Sequence, residues 1–300
     1  MTAYYYQHHK KRDKAKKRLI VFLVLFLSLI LLSVLVIFQQ IRLTAMQNNI
    51  ESLENRFQNV VQENNMLWEQ YDSIKKENEK LREENYMLRS STLIFHGNRH
   101  TNKVAITIDD GTNQELVAQF LNCLSEHDLK ATFFPIGHWL EANPEIWLRA
   151  VQEGHELGNH TYSHAFLEGL ADDEIKKELS RWQDTVDQAL GYGYQTLYFR
   201  PPGMSGFTDD SPNRKRYMEV VARKGMFTVL WDVEIFYALR NETITPSRTI
   251  EHVLSNAQGG SIVLLHFNHN DLAALPHIIT GLRNRGLIPC TLRELLLAKP

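Results

Sequence analysis

From Leu19 to Phe38 the chain reads LIVFLVLFLSLILLSVLVIF, twenty consecutive residues without a charge. Wound as an α-helix at 1.5 Å per residue, this run is about 30 Å long, the thickness of a bilayer's hydrocarbon core. No other feature restricts the fold as strongly, because such a helix must cross a membrane or be buried. A cleaved secretion signal has an apolar region of about 7–15 residues that ends in small side chains. Here the run continues into Gln39-Gln40-Ile41-Arg42, so the expectation is an uncleaved signal anchor over 19–38.

Charge sets the direction of the anchor. Residues 1–18 hold seven basic side chains (Lys10, Lys11, Arg12, Lys14, Lys16, Lys17 and Arg18) against the single acid Asp13, whereas Arg42 stands alone beyond the span. By the positive-inside rule the tail is cytoplasmic and everything after residue 38 is extracytoplasmic. The formal charge of the whole chain, -2, speaks against nucleic acid as a partner. It averages a cationic tail with an anionic remainder.

Residues 39–90 have a period of their own. Met46, Leu53, Val60, Leu67, Ile74, Leu81 and Leu88 occupy one seam position, and Leu43, Ile50, Phe57, Asn64, Tyr71, Asn78 and Asn85 occupy the other. Alternating steps of four and three are the pattern of a two-stranded coiled coil, and Asn on the seam fixes register at a cost in stability. Glu77 with Arg82 and Glu84 with Arg89 suit attraction between helices. The expectation is a stalk that pairs two chains as a parallel homodimer; a single solvated helix is the competing reading, since three Asn and a Tyr weaken the seam.

Over 91–300 the pattern changes to short β-branched runs separated by amphipathic helices. Strands are expected near Val104–Asp109, Ala131–Pro135, His155–Asn159, Leu197–Arg200, Phe227–Asp232, Ser261–Leu265 and Leu287–Cys290, and a helix over 172–190 closed by Gly191. Strands alternating with helices indicate a parallel α/β domain, either a (β/α) barrel or a doubly wound sheet, which the pattern alone does not separate. The unusual polar residues fall at the carboxyl ends of the expected strands: Asp109-Asp110, His160 and His164, Arg200, Asp232 and Glu234, and His266. In barrel enzymes that end carries the site.

His160 and His164 are spaced to point the same way if they lie in a helical turn. Two neutral imidazoles and a carboxylate form a three-ligand site that leaves a position open for water on a divalent metal. Alone the spacing says little; Asp109-Asp110 on a neighbouring strand end strengthens it. Adjacent strand residues face opposite sides, so one Asp is expected to ligate and the other to act as base. A turn or helix cap at Asp110-Gly111-Thr112 is the plainer alternative. Arg200, followed by Pro201-Pro202-Gly203, needs an anion if it is buried, and Asp109 is the candidate. His127, His155, His252 and His277 are expected to be structural or solvent-exposed, and Cys123 and Cys290 to pack as small apolar groups.

TIDDG at 107–111, KATFFPIG at 130–137, HTYSH at 160–164, RPPG at 200–203 and IVLLH at 262–266 resemble the ordered motifs of the NodB-type polysaccharide deacetylases over about residues 93–297. The resemblance implies a distorted (β/α) barrel, behind a transmembrane helix and coiled-coil stalk, that hydrolyses the N-acetyl group of N-acetylhexosamines in a cell-surface glycan such as peptidoglycan. It implies one divalent metal, Zn²⁺ first and Co²⁺ or Mn²⁺ as alternatives, on Asp110, His160 and His164. Asp109 would be the base held by Arg200, and His266 the acid. Pro202 and Gly203 would flank the oxyanion, Leu264 would line the pocket for the acetyl methyl, and Trp231 would contact the substrate. One motif departs: where the family has Asp-Trp, this chain has Tyr237-Ala238. Orientation of His266 would then pass to Asp232, Glu234 or Tyr237. The alternative is a catalytically degenerate carbohydrate-binding or scaffolding module.

Overall fold

A computed structural model describes residues 2–208, 211–235 and 243–298. The chain divides into two bodies, Met1–Glu79 and Lys80–Pro300. Helix α1 runs from Thr2 to Ser91, through a stretch that contains no Gly or Pro at all, the two residues that most disfavour a helix interior. It is long and apolar enough to cross a membrane, with a mean hydropathy of 3.4 in its most apolar window. The side chains from Leu19 to Phe38 are exposed, as are the stalk's seam residues Leu53, Phe57, Leu67 and Ile74.

In the second body the described strands are β1 (Leu93–Ile94), β2 (Lys103–Asp110), β3 (Thr132–Pro135), β4 (Glu156–Leu157), β5 (Tyr198–Phe199), β6 (Phe227–Val229), β7 (Ile262–His266) and β8 (Ile288–Cys290). All pairings are parallel. One sheet has the order β4-β3-β2-β7, with β8 also on β2, and the other the order β1-β6-β5. Single parallel bridges join them, Asn159 to Phe199 and Val233 to Val263. All seven expected strands are present in α/β alternation. The two-residue β1 has no sequence signal because it is too short to show alternation.

The connecting helices are α2 (Gln114–Glu126), α3 (Gly137–Ala142), α4 (Pro144–Gln152), α5 (Asp172–Leu190), α6 (Arg214–Arg223), α7 (Pro246–Asn256), α8 (His269–Asn284) and α9 (Leu292–Leu296). Helix α5 shows why they form where they do. Asp172, Asp173 and Glu174 face the positive end of its dipole, Ile175, Leu179, Trp182 and Val186 make one buried stripe, and Gly191 ends it at φ +75°. The indole of Trp182 donates to the Pro135 carbonyl at 2.7 Å, fixing α5 against the end of β3. Ile106 and Ile108 of β2 pack under the helices with Phe120, Phe133 and Trp147. Ala105, Thr107 and Asp109 alternate onto the opposite face. Cys123 and Cys290 are free thiols.

Candidate active site

Asp109, near the carboxyl end of β2, is 2% exposed, and Arg200, just past β5, is fully buried. The two meet as expected. Arg200 Nη1 donates to Asp109 Oδ1 and to Thr107 Oγ1, each at 2.8 Å. Its Nε and Nη2 donate to the carbonyls of Val229 and Leu230 at 3.3 and 3.1 Å. Phe134 and Trp231 flank the guanidinium, with centroids 4.1 and 5.4 Å away. A cation removed from water is thus hydrogen-bonded at three nitrogens and paired with an anion, as its desolvation demands. Burial pushes the Asp109 carboxyl above the ordinary carboxylate range, opposed chiefly by Arg200 and then by His266.

Asp110 breaks the alternation expected of a strand. Its φ is +83° and that of Gly111 is +79°, so the chain turns and both Asp109 and Asp110 line one cavity. A Cβ on Gly111 would lie 2.5 Å from the Trp147 ring, so the sharp turn requires glycine there. His160 and His164 are not in a helical turn either. Thr161 and His164 have φ of +63° and +61°, and the backbone of the loop is tied to its neighbours. Gly137 and His138 donate to the carbonyls of Thr161 and Tyr162. Thr161 N–H donates to Asn159 Oδ1 and Ala165 N–H to Thr161 Oγ1, both at 2.9 Å. Convergence therefore arises from left-handed residues rather than helical spacing. Three of the five non-glycine residues with positive φ among the described residues lie in this cluster, as strained conformations do at functional sites.

The imidazole Nε2 atoms of His164 and His160 lie 3.6 and 3.8 Å from Asp110 Oδ1. The ligand atoms of the three side chains fall within 4.8 Å of one another. His160 Nδ1 is 2.8 Å from the Arg200 carbonyl, to which it must donate, leaving the Nε2 lone pair to face Asp110. Burial pushes the His160 imidazole down to about 3, so it is neutral, as a metal ligand has to be. This donor set fits a divalent cation.

The shared cavity, about 430 Å³, is also lined by Gly203, Trp231, Leu264 and His266. His266 ends β7 in register with Asp109, so acid and base candidates face each other across one strand pair. Pro202 is buried in the turn beneath Gly203 and does not line the cavity. Asp232 is drawn elsewhere: it accepts from Arg99 at 2.8 Å, Ser261 Oγ at 3.0 Å and the Ile262 N–H at 2.7 Å. Tyr237 and Ala238 lie outside the described residues. Among the described residues, Asp271 in the first turn of α8 accepts the backbone N–H of His266 at 2.8 Å and Asn268 Nδ2 at 3.0 Å. Asn268 followed three residues on by Asp271 carries a helix-start signal, which gives no hint of the contact with His266. Thr107 and the flanking ring of Phe134 also escape sequence reasoning, since nothing in their spacing marks them.

Comparison with known proteins places the chain in a family. Residues 96–222 match the family described as polysaccharide deacetylase. A peptidoglycan-N-acetylglucosamine deacetylase of Bacillus cereus is 32% identical over 199 residues, 64% of this chain and 87% of that protein. The chain belongs to the polysaccharide deacetylase family. Another relative of this deacetylase-family chain, the uncharacterized protein YlxY of Bacillus subtilis, is 29% identical over 68% of the chain, which spans 60% of that protein's length. Among solved structures, a CE4 family pseudoenzyme from Bacillus anthracis superposes with a TM-score of 0.61 at 28% identity, over 68% of this chain and 69% of that one. A mutant of that protein with restored enzymatic activity superposes with the same score.

Proposed function

We propose that this protein is a membrane-anchored, metal-dependent N-deacetylase that removes acetyl groups from N-acetylhexosamines of peptidoglycan. The observation that carries the reading is one cavity holding three convergent ligand atoms beside a buried carboxylate–guanidinium pair. Asp110, His160 and His164 would hold Zn²⁺, with Co²⁺ or Mn²⁺ as substitutes. Such an ion supplies Lewis-acid polarisation and makes a water acidic enough to be deprotonated near neutral pH.

The chain's own residues do the rest. Asp109, its carboxyl raised by burial, takes a proton from the attacking water while Arg200 fixes its orientation. The new C–O bond forms first, with the carbonyl π electrons passing to its oxygen; the amide C–N bond then breaks as that electron pair returns and His266 gives a proton to the departing nitrogen. The products are acetate and a free amino sugar. Leu264 lines the pocket for the acetyl methyl, Trp231 contacts the substrate, and Gly203 flanks the oxyanion.

The two bridges that link the sheets support a distorted (β/α) barrel. The charge asymmetry around 19–38 supports a cytoplasmic tail over 1–18, and the exposed seam of 39–90 supports a parallel homodimeric stalk that presents residues 91–300 to the wall. A second reading, a degenerate glycan-binding module, is favoured by the pseudoenzyme neighbour and by the Tyr237-Ala238 departure. Incubating the full chain in detergent with acetylated glycan strands and Zn²⁺ separates the two. Acetate release supports the enzyme; no release with Zn²⁺, Co²⁺ or Mn²⁺, despite measured metal binding, leaves the binding module.

A further inference from the structure

Phe166 is 57% exposed, yet its loop is firmly held on both sides. Before it, Ala165 N–H is bonded to Thr161 Oγ1. After it, Leu167 is fully buried among Ile175, Leu179 and Phe199. Glu168 is tied twice, its N–H to Ser205 Oγ at 3.1 Å and its Oε1 to Gly206 N–H at 3.2 Å. Anchoring Leu167 inward turns Phe166 out to water. Beyond residue 91 the other large apolar side chains exposed among the described residues are Tyr192, Ile288 and Leu297. Of these four, Phe166 alone lines the cavity, where its ring stands at 83° to His164 with centroids 5.9 Å apart.

A rigid aromatic face at the mouth of a polar cleft matches the apolar C–H face of a pyranose ring, whose hydroxyls remain free to face water. Phe166 is more exposed than His164 and its ring centroid lies 5.9 Å from that of His164, so it stands at the rim of the cavity beside the ligand cluster. We propose that Phe166 is the platform of a second sugar subsite, stacking the residue next to the one deacetylated and giving the cleft its preference for a polymer. The proposal rests on the glycan-substrate reading above.

The test uses the full chain in detergent, loaded with Zn²⁺ and carrying Asp109→Asn to stop turnover. Calorimetric titration compares the β-1,4-linked pentamer of N-acetylglucosamine with the monosaccharide. Adding Phe166→Ala should raise Kd for the pentamer about five- to tenfold and leave the monosaccharide and Zn²⁺ affinities within about twofold. Phe166→Tyr should restore pentamer binding. Pentamer binding unchanged by Phe166→Ala, or absent from the parent, overturns the proposal. So does an equal loss of Zn²⁺ affinity, which would make Phe166 a support for His164. With Asp109 intact, absence of acetate release alongside Phe166-dependent pentamer binding overturns the hydrolytic reading and leaves the subsite standing.

Discussion

Replacing Arg200 by Met tests the centre of the site most severely. Methionine keeps much of the apolar contact with Phe134 and Trp231 but removes the charge and all the donors to Asp109, Thr107, Val229 and Leu230. Removing one partner of a buried ion pair costs about 3–5 kcal/mol, because the other charge is left uncompensated. Against a typical total of about 5–15 kcal/mol, Arg200→Met should be barely folded at neutral pH. Burial already raises Asp109, and Arg200 is the largest influence holding it down; without Arg200 it rises further. The folded variant then keeps a proton that the unfolded chain, with a carboxylate pKa of about 3.9, gives up. Its deficit relative to the parent should therefore be greatest near pH 7 and shrink as pH falls towards about 4. Urea unfolding in EDTA, followed by fluorescence of the buried Trp147 and Trp182, measures the difference. The double variant Arg200→Met, Asp109→Asn should recover much of the loss, since no orphan anion remains. A deficit below about 1 kcal/mol, or a double variant no more stable than the single one, would refute the account of Arg200 as the counter-charge of Asp109.

Asp109→Asn alone should abolish acetate release and retain Zn²⁺ binding, whereas His160→Ala should lose both; equilibrium dialysis and an acetate assay read the two outcomes. Burial pushes His155 down to about 4 and His160 to about 3, while imidazoles of the unfolded chain take up protons from about pH 6.5. Both depressions stabilise the metal-free fold above that pH, and the stabilisation should be lost as pH falls through the window down to about 4 and 3. Denaturation midpoints that stay flat from pH 7 to 5 would contradict this. Asn64→Cys on the stalk seam should give disulfide-linked dimers under oxidation if two chains pair in parallel, since Cys123 and Cys290 lie in the other body. Non-reducing gels showing monomer alone would argue for a single solvated helix.

What the sequence made legible was chemistry-bearing residue types and the strand ends that carry them; what it hid was the path of the backbone between them. Asp109-Asp110 and His160–His164 could be nominated from identity and order. The ideal geometries used to aim them, a flat strand and a helical turn, were both wrong, because Asp110, Thr161 and His164 adopt left-handed conformations. Such conformations are imposed on L-residues by surrounding contacts: around Thr161 they come from Gly137, His138 and Asn159, and at Asp110 from the Ile136 N–H on its carbonyl, pairings between segments that no local pattern reveals.

The same limit bears on the missing Asp-Trp motif. A motif comparison asks for a carboxylate at one offset after β6, and there the chain has Tyr237-Ala238. Space does not require that offset. Helix α8 brings Asp271 to the N–H of His266, and its carboxyl, pushed up by burial, is drawn back first by that N–H and then by the charge of His266. Departure from the motif therefore does not leave His266 without an acidic neighbour. Asp271→Asn keeps an acceptor for the His266 N–H but removes the charge, so an acetate-release pH profile that moves in this variant would show that the charge acts on His266. A profile that keeps its shape would reduce Asp271 to a cap of α8.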